Sequence, residues 1–545
     1  MASSASETKP QPSAEVRTVE ARLEKGLVEP QHHVDGEDND TTAAREVMGA
    51  AERKSIRRER WAYYSYFAGA NGMGPFVLTN LLFQNLLQQA GFNPLVHPLG
   101  SQSCEVDATA PCHVFWANGT KSTASVILIS TAITLVGQAL LFLSLGSMAD
   151  YGAWAPWIVR VSTVLCFALQ MGLLGVHDAS RWEAALGLFI VSNITFWTSY
   201  VFFNALFPKL AADQPAAIAA QEQLEAGQMS AAEHRTRIQL TRSRILNRSW
   251  FFNNVGFCAC GALTVGILAG LDAQSSVSRN NLGYSVAVAV AAAASLALCV
   301  PWFLWEKRRA GQPVPAGASI LRHGPAQLWA SLRACAQLSQ TFLYLLLSFV
   351  LADGVATLLA VVTIAQTRAV AFSARTNALM LTLQGGSAGL SALLALRLQE
   401  RFALRSKSIL HASNLCCLAL GGWGLAGAWT ATLGFHHAWE MWAANALYGV
   451  AFGNQWAFGQ AFMAQLTPAG LENRFFALLG IVSKGGAWIG PLAASAVVDR
   501  TGNDWSAFGV VVALIGAPAL ALFFVDEEKS RVECERFLVE NGGGS

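Results

Sequence analysis

Two charged residues stand inside stretches that otherwise read as membrane helices. One is Asp353 in "YLLLSFVLADGVATLLAVVTIAQ"; the other is Lys484 in "FFALLGIVSKGGAWIGPLAASAVVD". An ionisable group at membrane depth is costly, so it must be paired, neutralised or turned to water, and it marks a functional site by default. The carboxylate offers proton binding, the chemistry a proton-coupled transporter uses. The lysine offers a contact for an anion. Lys484 and Trp488 share a helix face at i, i+4 spacing, and Gly485 and Gly486 permit close backbone approach beside them. Three roles for Lys484 stay open: snorkelling to the interface, a structural ion pair with an acid such as Asp353, and direct substrate or proton coupling.

A second polar set lies in the first apolar stretch, "WAYYSYFAGANGMGPFVLTNLLFQNLLQQAG". Gly69, Gly72, Gly74 and Pro75 interrupt it, and Asn71, Asn80, Gln84 and Asn85 add amides. Pro75 supplies no N–H and frees a carbonyl about one turn earlier. Broken helices of this kind expose backbone groups to a transporter's substrate cavity; the alternative is close packing through small residues with an ordinary kink. Asn193, Asn204, Asn253 and Asn254 suit interhelical hydrogen bonds. Asn454 and Gln455 lie in a stretch rich in Gly and aromatics that suits a cavity wall.

These residues need membrane-spanning elements to hold them. Of 545 residues, 53% are hydrophobic and 13% charged, about half the charge of a soluble protein. Apolar runs of ~20 residues, long enough to cross a hydrocarbon core, recur near 61–90, 123–146, 154–176, 183–208, 250–271, 282–304, 339–367, 376–397, 408–430, 438–464, 474–497 and 505–525. The expectation is an all-α polytopic membrane protein with twelve spans. Residues 1–60 form a polar tail without a secretory signal and with the composition of a disordered segment. Residues 61–304 form a first six-helix bundle, 305–338 a polar linker, 339–525 a second six-helix bundle and 526–545 a closing tail. The net charge of +2 implies no nucleic-acid partner, because the cations sit in the connections.

Lys/Arg bias sets the orientation. Arg53, Lys54, Arg57, Arg58 and Arg60 precede the first span. Arg235, Arg237, Arg242, Arg244 and Arg248 occupy the 209–249 connection, and Lys307, Arg308 and Arg309 open the linker. Opposite connections hold only scattered cations such as Lys121, Arg181, Arg279, Arg368, Arg375 and Arg500. Both termini are therefore expected in the cytosol. The loop 91–122 then faces the lumen, where Cys104 and Cys112 can close a disulfide, the alternative being two free thiols. Asn118, in the sequon Asn-Gly-Thr, is a candidate glycan acceptor, although it lies close to the bilayer, where access is poor. Cys258 and Cys260 sit in an apolar helix without His or carboxylate nearby, so no metal site is expected.

No Walker loop, dinucleotide fingerprint, zinc-protease motif or nucleophile elbow occurs in a believable context. Neither an enzyme nor a cofactor is expected, and transport must draw on ion or solute gradients. After the second span, "LGSMADYGAW" places Gly146, Asp150 and Gly152 in the order of the major facilitator superfamily's gating loop, without the basic residue that usually follows. A helix cap is the plainer reading.

Four blocks together resemble the autophagy-related vacuolar effluxers of the major facilitator superfamily. They are "GANGMGPFVLTNLLFQNLLQQAG", "GSMADYG", "LADGVATL" and "TPAGLENRFFALLGIVSKGGAWIGPLAASAVVDRTG". The last is the most specific: Pro468, Glu472, Phe475–Phe476, Lys484–Gly485, Trp488, Gly490–Pro491 and Asp499 follow the family's block. Gly486 and Ala487 stand where small hydroxylated residues are common, and Leu479 where an aromatic is. The resemblance spans residues 61–525. It implies a major facilitator fold in the vacuole membrane and export of amino acids, the products of autophagic proteolysis, from lumen to cytosol. The partners expected are the transported amino acids and the bilayer, with proton coupling left open. A facilitator of another solute, or a non-transporting scaffold acting through the tail and the 209–249 loop, are the competing readings.

Overall fold

The computed structural model describes residues 49–74, 76–104, 112–116, 119–150, 154–273, 275–309, 337–369, 374–469, 471–485, 487, 489–501 and 503–542. Most of the tail 1–60 and of the linker 305–338 lies outside them. The described chain is helical apart from a short antiparallel hairpin of β1 (His113–Trp116) and β2 (Gly119–Ser122). In order, the first half comprises α1 (Ala50–Tyr66), α2 (Phe76–Gln89), α3 (Thr123–Asp150), α4 (Trp154–Gly172), α5 (Trp182–Asn204), α6 (Phe207–Ala212), α7 (Pro215–Glu225), α8 (Ala231–Gly270) and α9 (Val277–Trp305). The second comprises α10 (Ser339–Ala369), α11 (Ala374–Phe402), α12 (Ser406–Ala426), α13 (Ala438–Gln465), α14 (Glu472–Gly485), α15 (Ile489–Thr501), α16 (Ala507–Ala521) and α17 (Glu527–Gly542).

Among the described residues nine helices are long and apolar enough to cross a membrane. The first, tenth and eleventh expected spans are not among them, for physical reasons. The first is divided: α1 passes into a π-helical turn, Phe67–Met73, and ends at Gly74, whose ψ of 132° leaves the helix. The eleventh is divided into α14 and α15. The tenth, α13, is continuous, but its glycines, amides and indoles hold its hydropathy down. Exposed Leu140, Leu390, Leu415 and Leu520 face outward, as lipid-facing positions do.

Several boundaries differ from the sequence expectation. The 209–249 connection is helical, and its second half joins the fifth span in the 40-residue α8. Ser230 starts that helix by accepting from the Glu233 N–H, a cap the sequence S-x-x-E encodes. The second span runs on to Asp150, so Gly146 and Asp150 lie in the last turns of α3 rather than in a loop.

Packing is organised by end. One core joins both halves near the termini and contains Tyr63, Phe203 and Trp302 with Phe458, Phe462 and Phe475. At the opposite end each half has its own core, around Leu82, Phe83 and Val288 in the first and around Val355, Met441 and Phe508 in the second. The molecule is thus closed at the end that carries the termini. Along the seam between halves, α8 and α11 stay in contact through Gly389 beside Asn254 and Gly385 beside Phe257.

Candidate functional site: two broken helices and a buried carboxylate

The break between α14 and α15 carries the site. Gly490 and Pro491 stand in the first turn of α15, where helix N–H groups lack intrahelical acceptors. Pro491 has no N–H, and the Gly490 N–H donates to Asp353 Oδ1 at 3.0 Å. Asp353 lies in the middle of α10 and is 2% exposed, so its carboxylate serves as the acceptor for a helix start at membrane depth. The arrangement also suits the partial positive charge of a helix N-terminus. A Cβ at Gly490 would lie 2.1 Å from Thr357 Oγ1 and 3.1 Å from Asp353 Oδ1, so only glycine permits this approach. Thr357 Oγ1 in turn donates to the Asp353 carbonyl at 2.7 Å. Gly354 is also closely packed, its Cβ position 2.9 Å from Ile515 on α16.

Lys484 and Gly485 are the last two residues of α14, so the break falls directly after the lysine. The side chains of Asp150 and Lys484 lie outside the described residues, as do Pro75, Asn118, Gly152 and Trp488. The backbone nevertheless places the cationic Lys484 in the last turn of α14, the sign that suits a helix C-terminus, while the acid at the start of α15 is Asp353 of α10.

The first-helix break is built by packing against α8. A Cβ at Gly72 would lie 2.2 Å from the Asn253 carbonyl oxygen, and one at Gly256 2.3 Å from that of Ala68. Across this glycine contact Asn71 Nδ2 donates to Asn253 Oδ1 at 2.6 Å. Gly74 ends the π-helical turn. Further along, Gln84 donates to Asn80 Oδ1 at 3.2 Å within α2, and Asn85 is half-buried beside it. The two breaks therefore have different partners: Asn71 and Gly72 gather on α8, and Asp353 gathers with Gly490.

Between the halves lies a contact the sequence does not single out. Gln460 Nε2 on α13 donates to the Tyr200 hydroxyl on α5 at 3.2 Å, and the Trp250 and Trp456 rings lie 6.2 Å apart. Gly146 packs toward Ala477 on α14, 3.2 Å from its Cβ position. At the termini end, ion pairs cross the same seam. Arg244 Nε meets Glu400 at 2.5 Å, Lys209 meets Glu472 at 4.0 Å and Arg235 meets Glu528 of α17 at 2.9 Å. Arg242 adds a bond to the Ala464 carbonyl at 3.2 Å.

The start of the linker is fixed to the first half. Arg309 forks onto the fully buried Glu59 at 2.7 and 2.8 Å and reaches Asp213 at 2.8 Å. Burial works against the Arg309 charge, but Glu59 and Asp213 outweigh it and raise the guanidinium above its usual range. Glu306 pairs with Arg160 at 3.0 Å. Burial pushes its carboxyl up to about 7, with Arg160 opposing and Glu59 adding to the rise. At the other end of the molecule a disulfide joins Cys104 to Cys112, and both sulfurs pack against Gly91 at the end of α2.

Residues 55–535 match a family model described as "Vacuole effluxer Atg22 like". The chain belongs to this vacuole effluxer family. Autophagy-related protein 22-1 of Phaeosphaeria nodorum is 24% identical over 574 residues, covering 96% of this chain and 97% of that protein. Autophagy-related protein 22 of Neurospora crassa is 24% identical over 569 residues, covering 92% and 75%. Among solved structures, the proton:xylose symporter XylE bound to 6-bromo-6-deoxy-D-glucose aligns with a TM-score of 0.57 at 13% identity, covering 90% of this chain and 99% of that one. FucP, a major facilitator superfamily transporter in the outward conformation, aligns at 0.52 with 15% identity, covering 86% and 98%. These structures establish the major facilitator fold for the vacuole effluxer.

Family and fold are those of transporters and not of enzymes. The effluxer is a multi-pass protein of the vacuole membrane that handles a small solute. Within its most specific block, Glu472 starts α14 and faces Lys209 across the seam. Gly485 closes α14, and Gly490 and Pro491 open α15. Tyr200 and Gln460 are the residues that sequence reasoning passes over. A tyrosine and a glutamine in apolar helices carry no spacing signal, and only the fold brings them together.

Proposed function

We propose that this vacuole effluxer exports amino acids from the vacuole lumen to the cytosol by alternating access, with both termini in the cytosol and two six-helix bundles rocking about a midplane site. The observation that carries the proposal is the buried Asp353 carboxylate at the start of the half-helix α15. An amino acid presents an ammonium and a carboxylate. Asp353 and Lys484, on either side of the break, offer the complementary pair of charges. Amides and freed carbonyls of the first-helix break, with Asn71, Gln84 and Asn85, supply the neutral contacts. Trp488, next to the break in sequence, would supply an apolar wall.

The shared core at the termini end and separate cores at the other fit a state closed to the cytosol. Export then requires the ion pairs at the cytosolic end to open while the luminal ends close. Gly146, Asp150 and Gly152 would act at that closing surface. Protonation of Asp353 would alter the hold on Gly490 and so link a proton to the geometry of the break. The disulfide Cys104–Cys112 and a glycan on Asn118 belong to the luminal loop.

The test is efflux of a panel of labelled amino acids from vacuolar vesicles, with and without a pH gradient. Asp353→Asn and Lys484→Ala are expected to abolish efflux at unchanged protein level. Normal efflux in both would remove these residues from the site, and efflux of sugars or inorganic anions in place of amino acids would favour the other-solute reading.

A further inference from the structure

The first turns of α1 carry a feature that transport does not use. The helix begins at Ala50, well before the apolar stretch, and buries Ile56, Glu59, Ala62 and Tyr63 on one side. Lys54, Arg57, Arg58 and Trp61 are exposed. Their spacing, i, i+3, i+4 and i+7, is that of one helix face. Among the described residues no ion pair engages the three cations, and the nearby Glu59 is committed to Arg309.

Trp61 marks the membrane–water boundary. It is 48% exposed, as is Trp305 at the end of α9 at 47%, and exposed tryptophans of membrane proteins concentrate at that level. At ~1.5 Å per residue, Arg57 and Arg58 stand roughly 5 Å beyond Trp61 and Lys54 roughly 10 Å beyond. That is the depth of lipid phosphates. The neighbouring helix completes a notch. Phe252 on α8 lies 5.6 Å from both Trp61 and Tyr64, and the half-buried Arg248 stands one turn before Phe252 on the same helix.

We propose that this notch between α1 and α8 binds the phosphate headgroup of an anionic phospholipid from the adjoining leaflet. Arg57, Arg58 and Arg248 hold the phosphate, and an acyl chain lies along Trp61 and Phe252. A water-soluble anion would leave the indole face uncovered, whereas a phospholipid satisfies guanidiniums and aromatic rings together. A topology signal alone needs cations but no aromatic floor and no half-buried arginine on a second helix. The inference is independent of the transported solute. Its consequence is mechanical: the lipid would brace α1 against α8, the two helices that meet at the glycine contact of the first-helix break.

The test uses the full chain in nanodiscs of phosphatidylcholine alone or mixed with phosphatidic acid, read by native mass spectrometry for retained anionic lipid and by thermal unfolding. The wild type is expected to retain phosphatidic acid and to melt higher in its presence. Each of Arg57→Gln, Arg58→Gln and Arg248→Gln should weaken retention about fivefold, the effect of one cation near an anionic surface. The corresponding lysine variants should keep most of it, and Arg279→Gln at the opposite end should change nothing. Because Arg57 is exposed, Arg57→Gln reports even if Arg248→Gln impairs folding. Equal retention by wild type and Arg57→Gln, or equal stabilisation by phosphatidylcholine alone, would overturn the proposal.

Discussion

Asp353 Oδ1 and the Gly490 N–H, 137 residues apart in the chain, meet at 3.0 Å inside the second half of the molecule. The carboxylate does what a capping side chain does at a helix start, but it reaches across from another helix. A half-helix that begins at membrane depth needs such an acceptor, because no water is there to supply one.

Asparagine at position 353 separates the two jobs of the carboxylate. Asp353→Asn keeps an oxygen able to accept from Gly490 but cannot release a proton. It should fold to wild-type levels and lose gradient-driven transport. Asp353→Ala removes the acceptor and should also lower stability, by about 1–3 kcal/mol for an orphaned buried donor. Expression level and melting temperature distinguish the two variants. Equal destabilisation by both would mean that charge matters to the fold.

Gly490→Ala should be the most damaging small substitution in α15, since its methyl would overlap Thr357 Oγ1 at 2.1 Å and Leu514 Cδ1 at 2.8 Å. Overpacking of this kind costs about 1–3 kcal/mol. Combining it with Thr357→Ala should recover part of the loss, because the closest clashing atom is then absent. A double-mutant cycle on thermal stability measures the coupling; additive losses would show that the contact does not govern the site.

The Arg244–Glu400 pair tests the closed end of the molecule, the one that carries the termini. With side chains 27% and 31% exposed, the pair contributes about 1 kcal/mol or less, which is up to about fivefold in a conformational equilibrium. Glu400→Gln should therefore shift the population toward opening at the termini end by at most that factor. The charge exchange Arg244→Glu with Glu400→Arg should restore it. Distances between spin labels on the termini-side ends of α8 and α11 report the shift, and an unchanged distribution in Glu400→Gln would exclude the pair as a latch.

Glu306 gives a pH signature. Its carboxyl is pushed up to about 7 from an ordinary value of 4.5, so between those values the folded chain binds a proton that the unfolded chain has released. Stability from this group is therefore fully present below about 4.5 and falls as pH rises toward about 7, with a limiting slope of about 1.4 kcal/mol per pH unit. The difference in melting temperature between wild type and Glu306→Gln should follow that curve. A pH-independent difference would contradict it.

The spans of the fold are legible because a membrane demands long apolar runs. The first-helix break is legible too, since Gly72, Gly74 and Pro75 announce it. The break after Lys484 is legible only in part, through Gly485, Gly486 and the Gly490–Pro491 pair. The apolar run continues through "SKGGAWIGP", so 474–497 reads as one span, and the acceptor that lets a new helix begin comes from Asp353 on another element. The same holds for Glu59, Asp213 and Arg309, which appear in the sequence as scattered connection charges and become one part-buried cluster only when the ends of α1, α6 and α9 come together. Long-range partners leave no local spacing, which is why Tyr200 and Gln460 also pass unnoticed.

The central claim is that the carboxylate at the α15 start couples a proton to amino-acid export. The most direct measurement is efflux of labelled amino acids from proteoliposomes containing wild type or Asp353→Asn, under an imposed pH gradient and without one. The account predicts gradient-stimulated efflux by the wild type and none by a well-folded Asp353→Asn. Gradient-stimulated efflux of equal size in both would contradict it.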